Sequence, residues 1–226
     1  IPKTIDNDLG CTENAIGFTT AVDVATEALD RLQPTAASHD RVMILEVMGR
    51  DAGHIALAAG IAGGADIILI PEIPFTMEGI TKKIQCLKKN HKNFALIVVS
   101  EAVKDETGHK AIIKDARGRE RYGGIGHYLS HRIEELTGAE TRFMVLGHVQ
   151  RGGQPDSSDR ILASAFGVHA VELIAQGKRD RMVAWQNRCV VDVPLDAALK
   201  DYRHVDMNDA LVKTAKGLGI YMGDTL

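Results

Sequence analysis

The sequence has 226 residues, of which 45% are hydrophobic and 25% charged, with a formal net charge of −3. This mixture is typical of a soluble globular protein, and the slight acidity predicts no general attraction to nucleic acid or to an anionic membrane. No stretch reaches the ~20 apolar residues of a membrane span.

The three widely spaced cysteines fit neither a disulfide framework nor a zinc site, so we expect a reduced, cytoplasmic protein. Because the chain begins with Ile1-Pro2-Lys3 and no initiator Met, we also expect it to be a piece of a longer protein.

Helical and extended patterns alternate along the chain. Apolar residues recur at three- and four-residue spacing over 16–32, which predicts a helix, and the apolar run Val42–Val47 predicts a buried strand. The same reasoning predicts, in chain order, a helix over 52–62, a strand over 67–70, a helix over 77–90, a strand over 94–99, an exposed loop or hairpin over 104–122, a helix over 124–137, a strand over 142–146 and a helix over 157–176. Strands separated by helices indicate a mostly parallel sheet flanked by helices, so the predicted fold class is α/β.

Polar residues follow three of the predicted strands. Gly49-Arg50, Glu101 and the segment 148–153 each come directly after a strand, and the carboxyl ends of parallel strands are where α/β sheets bind ligands. We therefore expect these groups to form the rim of one pocket. Arg41 and Arg142 stand at the opposite strand ends, so they can reach the same ligand only from a neighbouring subunit.

The segment Pro2–Asp8 combines a cation, a hydroxyl and two carboxylates within a few residues. An Asp/Asn cluster of this kind is most often a turn or a helix cap. Phosphoryl transfer to an alcohol, however, needs a carboxylate that accepts the hydroxyl proton and cations that stabilise the moving phosphoryl group. Either carboxylate could also hold Mg²⁺ through its oxygens.

Two further segments place glycine and arginine between a strand and a helix. In Val47–His54 the pattern suits either a tight strand–helix turn or a backbone approach to an anion at a helix N-terminus. In Gly147–Asp156 the glycine pair 152–153, a cation and a histidine precede a helix start, which predicts a phosphate-binding loop.

Four segments, taken together and in order, resemble the signature sequences of the phosphofructokinase family: PKTIDND, EVMGRDAGHIALAAGIAGGADIILIPE, SEA and GHVQRGGQPDSSDR. The resemblance runs from residue 2 to about residue 170. It implies a two-lobed architecture in which 1–17 and 150–200 belong to a donor-binding lobe and 18–149 to a sugar-phosphate-binding lobe. The tail 201–226 is left without a placement. Because an N-terminal part would be absent, we expect residues 1–226 alone to have no kinase activity, and we expect the central lobe still to be able to fold.

The resemblance implies a 6-phosphofructokinase that moves a phosphoryl group from ATP to the 1-hydroxyl of fructose 6-phosphate in glycolysis. It makes Asp6 the general base, Thr4 and Arg50 the groups that steady the transferring phosphoryl, Lys3 a donor contact and Asp8 a ligand of Mg²⁺. It implies sugar-phosphate contacts from the same subunit at Ile5, Met48, Gly49, Arg50, Glu101, His148 and Arg151, and from a neighbouring subunit of a homotetramer at Arg41 and Arg142.

The phosphoryl donor stays open at this point. Lys3 stands where the simplest bacterial ATP-dependent members have glycine, and lysine there resembles pyrophosphate-dependent members as well as some ATP-dependent ones. ATP is preferred because ATP-dependent members are commoner, and pyrophosphate is the alternative donor. A different class of function, a non-catalytic sugar-phosphate-binding regulatory half, would be free to lose the carboxylate at Asp6, which this chain keeps together with Thr4 and Arg50.

Overall fold

The computed structural model describes residues 1–114, 120–200 and 202–223. Helices and strands alternate through most of the chain, as predicted. In chain order the elements are α1 (Phe18–Ser38), β1 (Val42–Val47), α2 (His54–Ala62), β2 (Ile67–Leu69), α3 (Met77–Lys89), β3 (Ala95–Ser100), β4 (Ile112–Lys114), β5 (Glu120–Tyr122), α4 (Ile125–Thr137), β6 (Thr141–Val145), α5 (Ser157–Ala175), β7 (Arg181–Gln186), β8 (Cys189–Pro194), α6 (Leu195–Lys200) and α7 (Ala210–Gly217).

The centre of the fold is a four-stranded parallel sheet with the strand order β2-β3-β1-β6. All six residues of β1 and of β3 are buried, which is the pattern of strands covered on both faces. Successive side chains alternate between the faces: Met43 and Leu45 pack with α1 and α2, while Val42 and Ile44 pack with α3 and α4. The predicted α/β class is therefore confirmed.

Helix α1 is longer than its apolar pattern predicted, because it continues past Pro34 to Ser38. Proline removes one backbone hydrogen bond and usually ends or bends a helix. Here Leu32 and Ala36, on either side of the proline, are both buried in the core, so tertiary packing stabilises the last turns.

The start of α1 is capped by a residue from another helix. Its N-cap, Gly17, has a left-handed backbone and no side chain to accept a hydrogen bond. Asp159 of α5 supplies the acceptors: its carboxylate takes bonds from the backbone N–H of Gly17, the backbone N–H of Thr20 and the Thr20 hydroxyl. Asp159 is only 3% exposed, so this carboxylate joins α5 to α1 in the interior.

The C-terminal tail packs on the central sheet. Helix α7 contributes Val212 and Ala215 to the core on the α2 side. Tyr221 forms a parallel bridge with Ile67, so it extends the sheet beyond β2. The lobe boundaries after residues 17 and 149 stay a prediction. Of the helices in the described ranges, none has the length and apolar character that crossing a membrane requires.

Replacing Asp159 with alanine is expected to lower the free energy of unfolding by about 2 kcal/mol, because three donors at the start of α1 lose their buried acceptor. Urea-induced unfolding followed by circular dichroism measures the change. Asp30→Ala, at an exposed position of α1, is the matched control and should change stability little. Equal losses in the two variants would contradict the capping role.

Candidate functional site

The carboxyl ends of β1, β3 and β6 meet at one edge of the sheet, as the parallel arrangement requires. Val47 and Ser100 are register partners at the ends of β1 and β3, and the backbone N–H of Glu101 donates to the Val47 carbonyl at 2.9 Å. The backbone N–H of Leu146, directly after β6, donates to the carbonyl of Glu46 at 3.0 Å. The three polar segments that follow these strands are thus brought together at this edge.

The turn after β1 is held by the carboxylate of Glu101. Arg50 has a left-handed backbone, with φ of 54°, and its backbone N–H donates to Glu101 Oε1 at 3.1 Å. A Cβ atom at Gly49 would lie 2.6 Å from the carbonyl oxygen of Ala52, so only glycine fits there. Burial raises the pKa of Glu101, and the backbone N–H groups of Arg50 and Gly49 oppose that rise. Glu101 therefore anchors the turn that presents Arg50.

The segment after β6 forms a short 3₁₀ helix, Gly147–Arg151, where the sequence predicted a phosphate-binding loop. Its His148 and Arg151 side chains are exposed. The buried Gln150 accepts a hydrogen bond from the backbone N–H of Met48 at 2.8 Å, so it ties this turn to the one after β1. The role of Gln150 was not predicted, since a glutamine in a polar loop gives no sign in the sequence that it will be buried.

Two buried carboxylates, Asp6 and Asp8, lie on the loop that precedes α1. The Thr4 hydroxyl donates to Asp6 Oδ2 at 3.1 Å. Asn7, between the two aspartates, has a left-handed backbone with φ of 55°. Its side-chain amide donates to the Glu13 carbonyl at 3.1 Å and accepts from the backbone N–H of Ala15 at 2.9 Å. The side chain of Asn7 therefore fixes the backbone conformation from which Asp6 and Asp8 project.

The electrostatics of Asp6 join this loop to the strand edge. Burial raises the pKa of Asp6; the hydrogen bond from Thr4 lowers it, the charge of Asp8 adds to the rise, and the positive charges of Arg151 and Arg50 lower it. Asp8, Arg50 and Arg151 therefore all lie near enough to Asp6 to interact with its charge. A carboxylate held above its ordinary pKa beside two cations is suited to accept a proton while negative charge develops nearby.

A cavity of about 870 Å³ opens beside Asp8 and Arg50. The ring of Tyr202 lies 6.0 Å from Arg50 Cζ, at the outer limit of a cation–π contact. The cavity wall mixes charges of both signs; its other lining residues are Asp51, Pro71, Glu72, Lys104, Lys110, His204, Val205 and Met207.

No cluster of three or more His, Cys, Asp or Glu side chains suited to a metal ion occurs within residues 1–114, 120–200 and 202–223. The single carboxylate of Asp8, facing a cavity, fits the kind of Mg²⁺ site in which phosphates and waters supply most of the ligands.

Arg41 and Arg142 lie at the other edge of the sheet. Six residues of β1 separate Arg41 from Met48, a distance of about 20 Å. Both arginines contact the same oxygen, Oε1 of Glu140, at 2.8 and 2.6 Å. They are therefore close to each other and are not brought to the Asp6 site of this chain.

Lys3 and Ile5 lie at the base of the acidic loop. Lys3 is exposed and forms a parallel bridge with Ile16. Ile5 is half-buried and packs against the core that contains α1 and α2. The contacts of Ile5 are thus those of a packing residue, whereas Lys3 leaves its ammonium group in solvent.

Comparison with known proteins shows the family of the chain. The family model described as Phosphofructokinase matches residues 1–174. The chain is 62% identical over 224 residues to ATP-dependent 6-phosphofructokinase 1 of Nostoc sp. (strain PCC 7120) and 60% identical to that of Synechocystis sp. (strain PCC 6803), covering 99% of this chain in each case. These matches extend through the C-terminal tail. The chain spans 62% of the length of both relatives.

Solved structures with the same fold include a pyrophosphate-dependent phosphofructokinase from Nitrosospira multiformis. It superposes with a TM-score of 0.79 at 25% sequence identity, over 99% of this chain and 60% of that one. The phosphofructokinase of Saccharomyces cerevisiae superposes with a TM-score of 0.73 at 30% identity, over 96% of this chain and 26% of that one.

Glu46, on β1 beneath the site, gives a test of the site's electrostatics. Its carboxylate is 2% exposed and accepts from the backbone N–H of Gly126 at 2.9 Å. Burial raises the pKa of Glu46, and the backbone N–H groups of Gly126 and Gly124 oppose that rise. A raised folded-state pKa contributes stability that is complete below the unfolded-state pKa and is lost as pH rises through the folded-state pKa.

Glu46→Gln is therefore expected to gain stability relative to the parent protein as pH rises from about 4 towards neutrality, because glutamine does not titrate. Urea unfolding at a series of pH values measures the difference in unfolding free energy. Glu27→Gln, at an exposed position of α1, serves as the control. A Glu46→Gln difference that stays flat with pH would show that Glu46 does not titrate in this way.

Proposed function

The chain belongs to the phosphofructokinase family, and we propose that the whole protein is a 6-phosphofructokinase that transfers a phosphoryl group from ATP to the 1-hydroxyl of fructose 6-phosphate. The observation that carries the proposal is the convergence of a buried carboxylate, Asp6, with Arg50 and Arg151. Such a group of one base and two cations supplies both requirements of phosphoryl transfer to an alcohol, a proton acceptor and stabilisation of the phosphoryl charge.

Asp6 is the proposed general base. The Thr4 hydroxyl donates to Asp6 Oδ2 and so holds the carboxylate in one orientation. Burial raises the pKa of Asp6, which makes its carboxylate a stronger proton acceptor than that of an exposed aspartate. Arg50 and Thr4 would stabilise the transferring phosphoryl group.

The acceptor would bind at the carboxyl edge of the sheet. The proposed sugar-phosphate contacts there come from three loops; they are Ile5, Met48, Gly49, Arg50, Glu101, His148 and Arg151. Arg41 and Arg142 would bind the sugar phosphate of a neighbouring subunit in a homotetramer. Both arginines contact Glu140 and lie about 20 Å from Met48, which supports their action in a neighbouring subunit.

ATP is the proposed donor because the two relatives at 62% and 60% identity are named ATP-dependent, whereas the pyrophosphate-dependent structure is 25% identical. Lys3 would contact a donor phosphate through its exposed ammonium group. Mg²⁺, when bound, would neutralise phosphate charge, and Asp8 is the residue proposed to hold it. A cytoplasmic location completes the proposal, in keeping with the three free, exposed thiols of Cys11, Cys86 and Cys189.

Asp6→Ser in the full-length enzyme is expected to lower kcat by about 10²–10⁴-fold, because the base is lost, while KM for fructose 6-phosphate stays near its original value. A coupled assay of fructose 1,6-bisphosphate formation measures both constants. Asp30→Ser, at an exposed position of α1, is the control and should retain full activity. Near-normal turnover by Asp6→Ser would remove Asp6 from the role of base.

Parallel assays of the full-length enzyme with ATP and with pyrophosphate, each with Mg²⁺ and fructose 6-phosphate, test the donor. We expect turnover with ATP and little with pyrophosphate. The reverse result would make the pyrophosphate-dependent alternative correct. Binding of fructose 6-phosphate in a thermal-shift assay without turnover on either donor would instead favour a non-catalytic sugar-phosphate-binding protein.

A further inference from the structure

A short segment of the C-terminal tail, Tyr202–Val205, crosses the edge of the site; we call it the C-terminal strap. Tyr202 forms an antiparallel bridge with Leu9, and the backbone N–H of Arg203 donates to the Asp8 carbonyl at 2.7 Å. The strap thus pairs through its backbone with the loop that carries the two buried aspartates.

The other end of the strap is attached to the loop that follows β2. The backbone N–H of Val205 donates to Glu72 Oε1 at 2.9 Å, and the same carboxylate oxygen accepts from the backbone N–H of Gly53 at the start of α2. The Arg203 carbonyl is 2.9 Å from His54 Nε2. The strap therefore connects the aspartate loop to the strand–helix turn that follows Arg50.

The guanidinium of Arg203 makes a second connection to the loop. Its Nη1 donates to the carbonyl oxygens of Thr12 and Glu13, at 2.8 and 2.9 Å. Burial lowers the pKa of Arg203, while the charges of Asp209 and Glu13 oppose that change. A half-buried cation whose single nitrogen bonds two backbone carbonyls is expected to fix those carbonyls firmly, since bonds to a charged donor are stronger than neutral ones.

These carbonyls are linked directly to the aspartates. The Glu13 carbonyl accepts from Arg203 and also from the side-chain amide of Asn7, at 3.1 Å. Asn7 sets the left-handed backbone between Asp6 and Asp8. Arg203 is therefore one hydrogen-bonded step from the residue that determines where both carboxylates point.

We propose that Arg203 is a positioning residue of the active site, which holds the Asp6–Asp8 loop in its productive conformation through the carbonyls of Asp8, Thr12 and Glu13. Arg203 does not touch the reacting groups in this arrangement; it acts through the loop. The inference rests on the proposed function for its effect on turnover, and on the structure alone for its effect on the loop.

The test compares Arg203→Met and Arg203→Lys in the full-length enzyme. Methionine keeps much of the side-chain volume and removes the guanidinium donors to Thr12 and Glu13, while the backbone bond to Asp8 remains. The kcat should therefore fall about ten- to hundredfold, while KM for fructose 6-phosphate changes by less than about threefold. Lysine should recover most of the activity, because one nitrogen makes both side-chain bonds in the present structure. Arg179→Met, at an exposed position, is the control.

A double variant separates positioning from general destabilisation. If Arg203 acts through this loop, Arg203→Met should cost clearly less activity when added to Asp6→Ser than when made in the parent enzyme, since the base is already absent and only the effect through Asp8 remains. Losses that multiply in full would overturn the proposal, as would unchanged kcat in Arg203→Met.

Amide hydrogen exchange gives a readout that does not depend on catalysis. Backbone amides of residues 6–15 should exchange about tenfold faster in Arg203→Met than in the parent enzyme, with exchange in β1 and β3 unchanged. Unchanged exchange in the loop would refute the proposal whatever the activity. If the parent enzyme phosphorylates no sugar while the loop loses protection, the proposed function fails and the positioning role stands.

Discussion

The alignment of three parallel strand ends is the constraint on which the site depends. Because β1, β3 and β6 run in the same direction, the chain leaves all three of these strands along one edge of the sheet. The turns that follow need partners for backbone groups that the sheet no longer satisfies. Side chains from the neighbouring strand ends supply them: Glu101 binds the backbone of Arg50 and Gln150 binds that of Met48. The turns after β1, β3 and β6 are thus hydrogen-bonded to one another.

The aspartate loop lies outside the sheet and is held by segments far from it in sequence. The backbone of Glu13 donates to the Trp185 carbonyl on β7, while Arg203 bonds the carbonyls of Thr12 and Glu13. Asp159 of α5 caps the helix that follows the loop. Burying the carboxylates of this loop is unfavourable unless the surrounding polar groups are satisfied, so this network is a condition for keeping Asp6 and Asp8 buried.

The sequence predicts the strands and helices of this molecule better than the long-range side-chain contacts that hold the site together. A strand such as Val42–Val47 is a continuous apolar run because both of its faces are covered, and that signal is local. The continuation of α1 past Pro34 depends on packing. The β7–β8 hairpin was not predicted, because its two turn residues, Asn187 and Arg188, both adopt left-handed backbones without a glycine. The meeting of the strand-end polar residues at one edge was predicted, whereas the proposed role of Arg203 depends on contacts with residues about 190 positions away in sequence.

The geometry of Asn7 restricts how the site can vary during evolution. Its position needs a residue that tolerates a left-handed backbone and that both donates to one carbonyl and accepts from one N–H. Aspartate would keep the acceptor and lose the donor, and glycine would keep the backbone and lose both bonds. Very few amino acids are therefore tolerated at this position, although the Asn7 side chain has no part in the proposed chemistry.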